Sequence, residues 1–565
     1  MRIHELEISR FRGIQHLKWT NIPDGVLALI GPGDSGKTTV LEALAVLFHA
    51  YWTLNLGEND FYGHGTEEPI EIVGTIVDPP RPLIEDRQFL PYLRGVDGAT
   101  GYIVDEPEDH LPALTIRFRM GSDFEPTWEV ICDRHDQGTR ISGEKRRQFG
   151  VRQINATGAD LRWGTRSPLR TVTNAADEDL TESVLRDAAK AARAQASEGL
   201  KALGSTVNQV AEVARLLRAA RVGSNYSAEL DADLASLSRG SVSLHADDLP
   251  VERAGLGTRR LVSVAVESLA QSGATVLLCD ELEIGLEPHR VRHLVRYLQS
   301  RGKQVFLTTH SPTVLRELGV DQLRLLRPGQ IPGSLNALAL RADEYQGPVR
   351  TFADAFLASR IAVCEGLTEV GFVLQVCADL EASDPARLSV VEPIHAVGDT
   401  NVVGYATMFD ELGFEAAVVC DNDTKILDLT PLPPSVTTLR CDVDCSIEQQ
   451  VLNNATGDGC VEAVGVGVGA HGKDVVRAQL RTAGITDDTI LDALLTGDSA
   501  QLAEAPSRQV AIASKSKRSP WFKSVAGGET LARIAAEPRL VTQTPGLVEY
   551  MNKLRDWCAP NADEA

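Results

Sequence analysis

The octapeptide Gly31-Pro32-Gly33-Asp34-Ser35-Gly36-Lys37-Thr38 constrains this chain more than any other stretch. It fits the pattern G-x4-G-K-[ST], and its setting matters as much as its letters. The apolar run Val26-Leu27-Ala28-Leu29-Ile30 leads into it, and a helix-like segment from Val40 to His49 follows. Strand, glycine loop and helix in that order let backbone N–H groups wrap a phosphate, with the helix dipole adding to the attraction. In such a loop Gly31, Gly33, Asp34, Ser35 and Gly36 form the cradle. Lys37 reaches the β- and γ-phosphates, and Thr38, followed by Thr39, offers a hydroxyl to the magnesium of bound ATP.

A second stretch fits the same chemistry. Thr275-Val276-Leu277-Leu278-Cys279 is apolar and ends in Asp280 and Glu281. Asp280 suits the magnesium shell, and Glu281 suits orientation of an attacking water. His310 closes the strand-like QVFLTTHSP, where it can sense a γ-phosphate. Together with Phe11-Arg12-Gly13-Ile14 and DELEIGLEP, these motifs resemble the ATPase heads of the ABC, SMC and RecF type. The resemblance implies a signature loop acting from a partner subunit, for which Ala254–Arg259, with Gly255 and Gly257, is the matching stretch. It departs from the usual Ser-Gly-Gly. ATP held between two heads implies a homodimer or higher homo-oligomer.

Along the chain the texture changes several times. Residues from about 69 to 135 read as strands, with IEIVGTIVD and LTIRFRM the clearest. From Asp177 to Arg221 the chain is rich in Ala, Leu, Glu and Arg, with Leu180, Val184 and Ala188 four apart. This predicts a helical hairpin broken near Gly204, within a helical insert at about 175–240 that either dimerises or packs on its own domain. Helix and strand alternate again from Leu249 to Arg327, the mark of an α/β domain. Arg327–Ser334 reads as a boundary loop, so the expected domains are 1–345 and 346–565.

The second domain carries its own constellation. Ala416–Asp423 reads AAVVCDND: an apolar strand ends in Asp421 and Asp423. Residues two apart on a strand share a face, so both carboxylates aim at one spot. An Asx-turn is the plain reading of such a pair; a hard divalent metal between the carboxylates is the other. Upstream, the run Ile361–Cys364 ends in Glu365-Gly366-Leu367-Thr368-Glu369, and downstream Glu448 opens a helix. Three element ends thus offer five carboxylates: Glu365, Glu369, Asp421, Asp423 and Glu448. Two Mg²⁺ or Mn²⁺ ions would offset their repulsion.

E-G-x-x-E after one strand and D-x-D after a later one resemble the Toprim domain. Joined behind an ABC-type head, the order resembles the OLD (overcoming lysogenization defect) family of nucleases, including the GajA-like subunits of Gabija antiphage systems. The resemblance implies an ATP-binding, two-metal DNA endonuclease in which the five acids are ligands or catalytic groups. It also implies a late lysine, for which Lys523 is the first choice and Lys515 and Lys517 the others. A helicase-like (UvrD-type) partner and an antiphage role are implied by it alone. The rival reading is a RecF- or SMC-like ATPase that binds DNA without cutting it. A topoisomerase needs a nucleophilic tyrosine in its own domain, and Tyr550, the last tyrosine, lies in a short tail.

Bulk composition excludes little. With 43% hydrophobic and 24% charged residues the chain reads as an ordinary globular protein. Its charged start and the lack of a long apolar run predict a cytoplasmic protein without a membrane span. A formal net charge of −22 argues against a general nucleic-acid coat, though not against a local basic groove. Two basic clusters stand out, Glu144–Arg147 and Ser514–Lys523. The second interleaves Trp521 and Phe522 with cations, as either a solvated loop or a strand-binding surface would. Cys279, Cys364 and Cys420 read as small buried hydrophobes. Cys441, Cys445 and Cys460 lack a fourth ligand for zinc.

Overall fold

The computed structural model describes residues 1–50, 54–154, 161–163, 169, 173, 200–219, 225–230, 242–269, 276–328, 335–339, 342–383, 391–397, 399–423, 427–537 and 545–559. The chain divides into two units, Met1–Leu357 and Ala358–Ala565. The division falls later than the 345/346 boundary expected above, because the helix Ala342–Thr351 packs on the helix Pro312–Glu317 of the first unit.

Two large sheets dominate the described part of the first unit. One is antiparallel and eight-stranded, and its longest members are Arg2–Phe11, Ile70–Val77 and Leu111–Met120. Arg2–Phe11 buries Ile3, Leu6, Ile8 and Phe11, with a register shift between Ile3 and Glu5 that keeps the apolar side chains inward. The other sheet has six strands in the order Arg152–Ile154, Val276–Cys279, Gln304–Thr308, Val26–Ile30, Leu323–Pro328 and Leu335–Ala339. All neighbours are parallel except the last pair. Every residue of Val26–Ile30 is buried, as a parallel strand covered on both faces must be. The helix Lys37–Leu47 shares one apolar core with both sheets. It approaches the antiparallel sheet so closely that a Cβ on Gly74 would sit 2.5 Å from a Leu47 methyl.

The predicted helical hairpin lies mostly outside the described residues. What is described begins with the 3₁₀ turn Leu200–Leu203, and Gly204 starts the α-helix Gly204–Leu216 directly after it; the first arm of the hairpin lies outside the described residues. Beyond it, Tyr226–Leu230 pairs with Val242–Ala246 in a three-stranded antiparallel sheet. Helix was expected there, but Tyr226-Ser227-Ala228-Glu229-Leu230 alternates with period two, and that pattern decides.

In the second unit four strands form a fully parallel sheet in the order Val391–His395, Arg360–Cys364, Glu415–Cys420, Thr437–Arg440. The helices Leu367–Ser383 and Asp399–Glu411 connect them, and seven further described α-helices follow, from Ile447–Leu452 to Pro545–Cys558. Among these, Val525–Ala535 crosses Leu367–Ser383 at glycine contacts. A Cβ on Gly528 would lie 2.0 Å from the Thr368 carbonyl, and one on Gly371 would lie 1.9 Å from that of Val525. No helix among the described residues is long and apolar enough to cross a membrane.

Candidate functional site

Each unit gathers one constellation at the carboxyl ends of its parallel strands. In the first, Gly31 and Gly36 adopt φ of +143° and +79°, and Asp34 is left-handed at +54°. Gly31 has no substitute, since a Cβ there would lie 2.3 Å from the Leu326 carbonyl. Lys37 opens the helix and is buried. Its Nζ donates to the carbonyls of Gly31 (3.0 Å) and Pro32 (2.5 Å) and to Ser35 Oγ (3.1 Å). Burial lowers its pKa to about 8, against the opposing pull of Asp34, Asp280, Glu281 and Glu283.

Strand order brings the distant motifs together. Thr38 Oγ1 donates to Asp280 Oδ1 at 3.1 Å, and Thr308 Oγ1 donates to the same oxygen at 2.7 Å. Glu281, left-handed at φ +45°, donates its N–H to Thr308 Oγ1 at 2.7 Å. His310 stands exposed just beyond the strand Gln304–Thr308, its backbone N–H held by Glu283 Oε1 at 2.6 Å. Glu283 also takes the Thr309 hydroxyl at 2.7 Å. Gly33 on the loop and Thr38 in the first turn of the helix are exposed, and Thr39 is half-buried. The sequence reading missed Arg260, fully buried on the helix Leu256–Leu269, which donates to the Asp280 carbonyl and sets a cation behind Asp280, Glu281 and Glu283. Its apolar neighbours Leu261 and Val262 make it look like an ordinary helix residue. Gly257 has a reason within its own chain to be glycine, since a Cβ would lie 2.2 Å from the Gly285 carbonyl; Gly255 faces open space.

In the second unit Glu365 follows the strand Arg360–Cys364, Asp421 and Asp423 follow Glu415–Cys420, and Glu369 and Glu448 sit in the first turns of helices. The Asp421 N–H donates to Glu365 Oε2 at 3.1 Å, and Asp421 Oδ1 accepts the Ile447 N–H at 2.8 Å. Glu369 and Glu448 are buried, and each keeps one oxygen, Oε2, without a hydrogen-bond partner. Gly366 makes room for this, since a Cβ there would lie 2.7 Å from Glu369 Oε2. Burial first, then the charges of Asp421 and Glu448, push the Glu369 carboxyl far above its ordinary range. Burial and Glu448 do the same to Asp421.

Two lysines answer these acids. Lys523 Nζ lies 3.8 Å from Glu448 Oε1. Burial lowers its pKa, but Glu448, Glu369, Asp421 and Glu365 together outweigh that and hold it above its ordinary value. Lys515 Nζ, the second choice in sequence, pairs with Asp423 Oδ2 at 2.8 Å and donates to Gln449 Oε1 at 3.0 Å. Lys517 is exposed. Among the described residues, no three His, Cys, Asp or Glu side chains already stand in a geometry that encloses one ion. The donor set nonetheless suits a hard divalent cation: oxygen ligands, two of them buried with an unused lone pair.

The strand-binding reading of Ser514–Lys523 fails for its aromatics. Trp521 and Phe522 are buried, and the Trp521 indole N–H is taken by Gln479 Oε1 at 2.7 Å, so neither ring can stack on a base. They anchor the loop that carries the lysines. Cys279, Cys364 and Cys420 are buried free thiols, and no cysteine cluster among the described residues can hold a metal. Tyr550 is buried, with its hydroxyl unpartnered.

Residues 26–316, more than half of the chain, match the family model described as "AAA domain, putative AbiEii toxin, Type IV TA system". The chain belongs to that family. This AAA-domain match spans the phosphate loop, Asp280 and His310, so the N-terminal unit is a P-loop ATPase domain. Among curated proteins, the flagellar biosynthesis protein FlhF of Pseudomonas aeruginosa is 41% identical over 69 residues, 12% of this chain and 16% of FlhF. The chain therefore spans about a sixth of the curated relative it matches. Among solved structures, an Smc head bound to the C-terminal winged-helix domain of ScpA is 15% identical, covering 61% of this chain and all of that one, at TM-score 0.39. A Pyrococcus furiosus Smc head with an extended coiled coil, bound to the C-terminal domain of ScpA, is 13% identical over 62% of this chain and 99% of its own, also at 0.39. The SMC head domain from Thermotoga maritima is 12% identical over 60% of this chain and all of its own, at 0.31.

Proposed function

We propose that this AAA-domain protein is an ATP-regulated, divalent-metal-dependent DNA endonuclease whose cutting site is the acidic constellation of the second unit. One observation carries the reading: carboxylates from three strand and helix ends act on one another's charge, and two of them, Glu369 and Glu448, are buried with an unused oxygen each. Buried carboxylates without partners are costly, and their pKa values climb until a cation is supplied. Glu365, Glu369, Asp421, Asp423 and Glu448 are the residues that would hold Mg²⁺ or Mn²⁺. Such ions, when bound, lower the pKa of water for attack on phosphorus and stabilise the leaving oxygen.

The chain's own residues prepare the site. The Ile447 N–H, at the start of the helix Ile447–Leu452, fixes Asp421. Glu365 takes the Asp421 N–H and ties two strand ends together. Lys523, half-exposed, is free on one side to meet a scissile phosphate. Lys515 orients Asp423. At the first unit, Lys37 and Thr38 would take the phosphates and magnesium of ATP, with Glu281 orienting water and His310 near the γ-phosphate. ATP between two heads, with Gly255 and Gly257 facing the partner's nucleotide, makes the working form a homodimer or larger. The helicase-like partner and the antiphage role rest on the family resemblance alone.

A plasmid-nicking assay with Mg²⁺ or Mn²⁺ tests this. Wild type should nick and Asp421→Ala should not, with a loss of at least about 100-fold, the scale of removing a first-order electrostatic contributor. Metal-dependent cutting that survives Asp421→Ala would refute the site. ATP-dependent DNA binding with no cutting by wild type would establish the non-nuclease ATPase instead.

A further inference from the structure

On the antiparallel-sheet side of the first unit lies a cavity of about 790 Å³. That volume is within the range of small-molecule sites and far exceeds a single inorganic ion. Its lining includes Gln88, Glu125, Trp128, Arg140, Lys145 and Arg146. None of these belongs to the phosphate loop or to the acidic constellation, and this is where the first basic cluster of the sequence finds its place.

Arg146 is the unusual member. It is only 5% exposed, and its guanidinium lies over the Trp128 ring at 3.9 Å from the centroid. Its Nε and Nη1 donate to the carbonyls of His49 and Ile141, each at 2.6 Å. Those two carbonyls take part of its set of five N–H donors and carry no net charge. Among the described residues no carboxylate pairs with Arg146 or with Arg140. Lys145, by contrast, is balanced by Asp86 at 2.7 Å and steadied by Gln88 Oε1 at 2.8 Å. Glu125 is the one acidic residue in the lining. Buried cations are ordinarily paired, because removing a charge from water is costly without a counter-charge. Here burial also draws the Arg146 pKa down to about 10, the sign of a cation lacking a compensating anion.

We propose that this cavity binds a small phosphate-bearing anion, with Arg146 and Arg140 as its charge partners and Lys145 at the rim. The planar guanidinium forks match phosphate oxygens in pairs. The size of the cavity calls for a ligand larger than orthophosphate, of nucleotide scale. The site also has a line to the ATP loop. The Trp128 indole N–H donates to the Val46 carbonyl at 3.0 Å and Arg146 to that of His49, so both grip the far end of the helix that begins with Lys37 and Thr38. An anion that draws on Arg146 alters the hold on that helix end.

Pyrophosphate is the probe, titrated calorimetrically into the full chain carrying Lys37→Ala, which suppresses the phosphate loop. Binding should be measurable, and should weaken at least tenfold in Lys37→Ala with Arg140→Glu and Lys145→Gln added. With Lys37 restored, the two pocket substitutions should leave Mg-ATP affinity within about threefold, which shows that the fold survives. No pyrophosphate binding by Lys37→Ala, or binding indifferent to Arg140→Glu and Lys145→Gln, would overturn the proposal. So would a single-stranded oligonucleotide binding in place of pyrophosphate with the same sensitivity, since that would make the cavity a nucleic-acid contact.

Discussion

In the proposed function nucleotide binding turns on Lys37, whose ammonium is buried in the loop. Lys37→Ala should abolish ATP binding measured by calorimetry while Mn²⁺ binding by the second unit persists; loss of both would mean that the two constellations are not separate sites. The acids of the second unit give a prediction with a definite sign. Glu369 and Asp421 titrate far above the ordinary carboxylate value of about 4. A carboxyl whose folded pKa is raised adds stability while protonated, fully below the unfolded value, and loses it as pH rises through the folded value. In metal-free buffer the unfolding midpoint of the second unit should therefore fall as pH is raised from about 4 past neutrality. The fall should be several degrees, at roughly 2–4 °C per kcal/mol for a unit of this size. Glu369→Gln should flatten the curve, and Mn²⁺ should restore the midpoint. A midpoint that rises over this range would show that the carboxylates are stabilised by groups within the protein. At this scale much was legible: Glu365, Asp421 and Glu448 are named by their place at strand or helix ends. The sequence puts Lys523 ahead of Lys515, but their different partners are not legible there: both lie in one loop, and only its path sends Lys515 to Asp423 and Lys523 to Glu448.

Helix-to-helix contact sets the acidic site from behind. Val525–Ala535 lies against Leu367–Ser383 at Gly528 and Gly371, and the Thr368 hydroxyl donates to the Phe522 carbonyl at 2.8 Å. The loop bearing Lys523 is thereby fixed to the helix bearing Glu369. Gly528→Ala should destabilise the second unit by about 1–3 kcal/mol, the usual cost of overpacking. Urea denaturation measures this, and the variant should also lose nicking beyond what its unfolded fraction explains. A neutral substitution would mean that the two helices can part. Elements were readable where a period was clear, as in Val26–Ile30, Glu415–Cys420 and the nucleotide-loop helix. The stretch 225–230 was misread because helix-favouring composition upstream was extended past the point where alternation begins.

The whole molecule joins a P-loop ATPase head to a parallel α/β unit, and the proposed function requires the head to pair. Glu281→Gln, which removes the carboxylate proposed to orient water and spares Lys37, should accumulate ATP-bound dimer or larger oligomer in light scattering with Mg-ATP. A mass that stays monomeric with ATP bound would remove the sandwich model and with it the role of Gly255 and Gly257. The ordering of the two motif sets along the chain was plain from sequence. The boundary was not, since Arg327–Ser334 has the composition of a linker while the helix Ala342–Thr351 still belongs to the first unit.

By itself the sequence determined which local structures could form and which chemistry they could carry. Glycine placement at Gly31 and Gly36, apolar runs ending in acids, and a lysine opening a helix are short-range facts, and short-range sterics and charge enforce them. Tertiary structure alone decided that Thr308 and Glu283 brace the strand end at Asp280, that Arg260 backs it with a buried cation, that Trp521 and Phe522 face inward, and that Arg146 sits uncompensated beside a cavity. These depend on which strands become neighbours and which faces lose water, quantities set by the packing of residues from 20 to 97 positions apart in the chain.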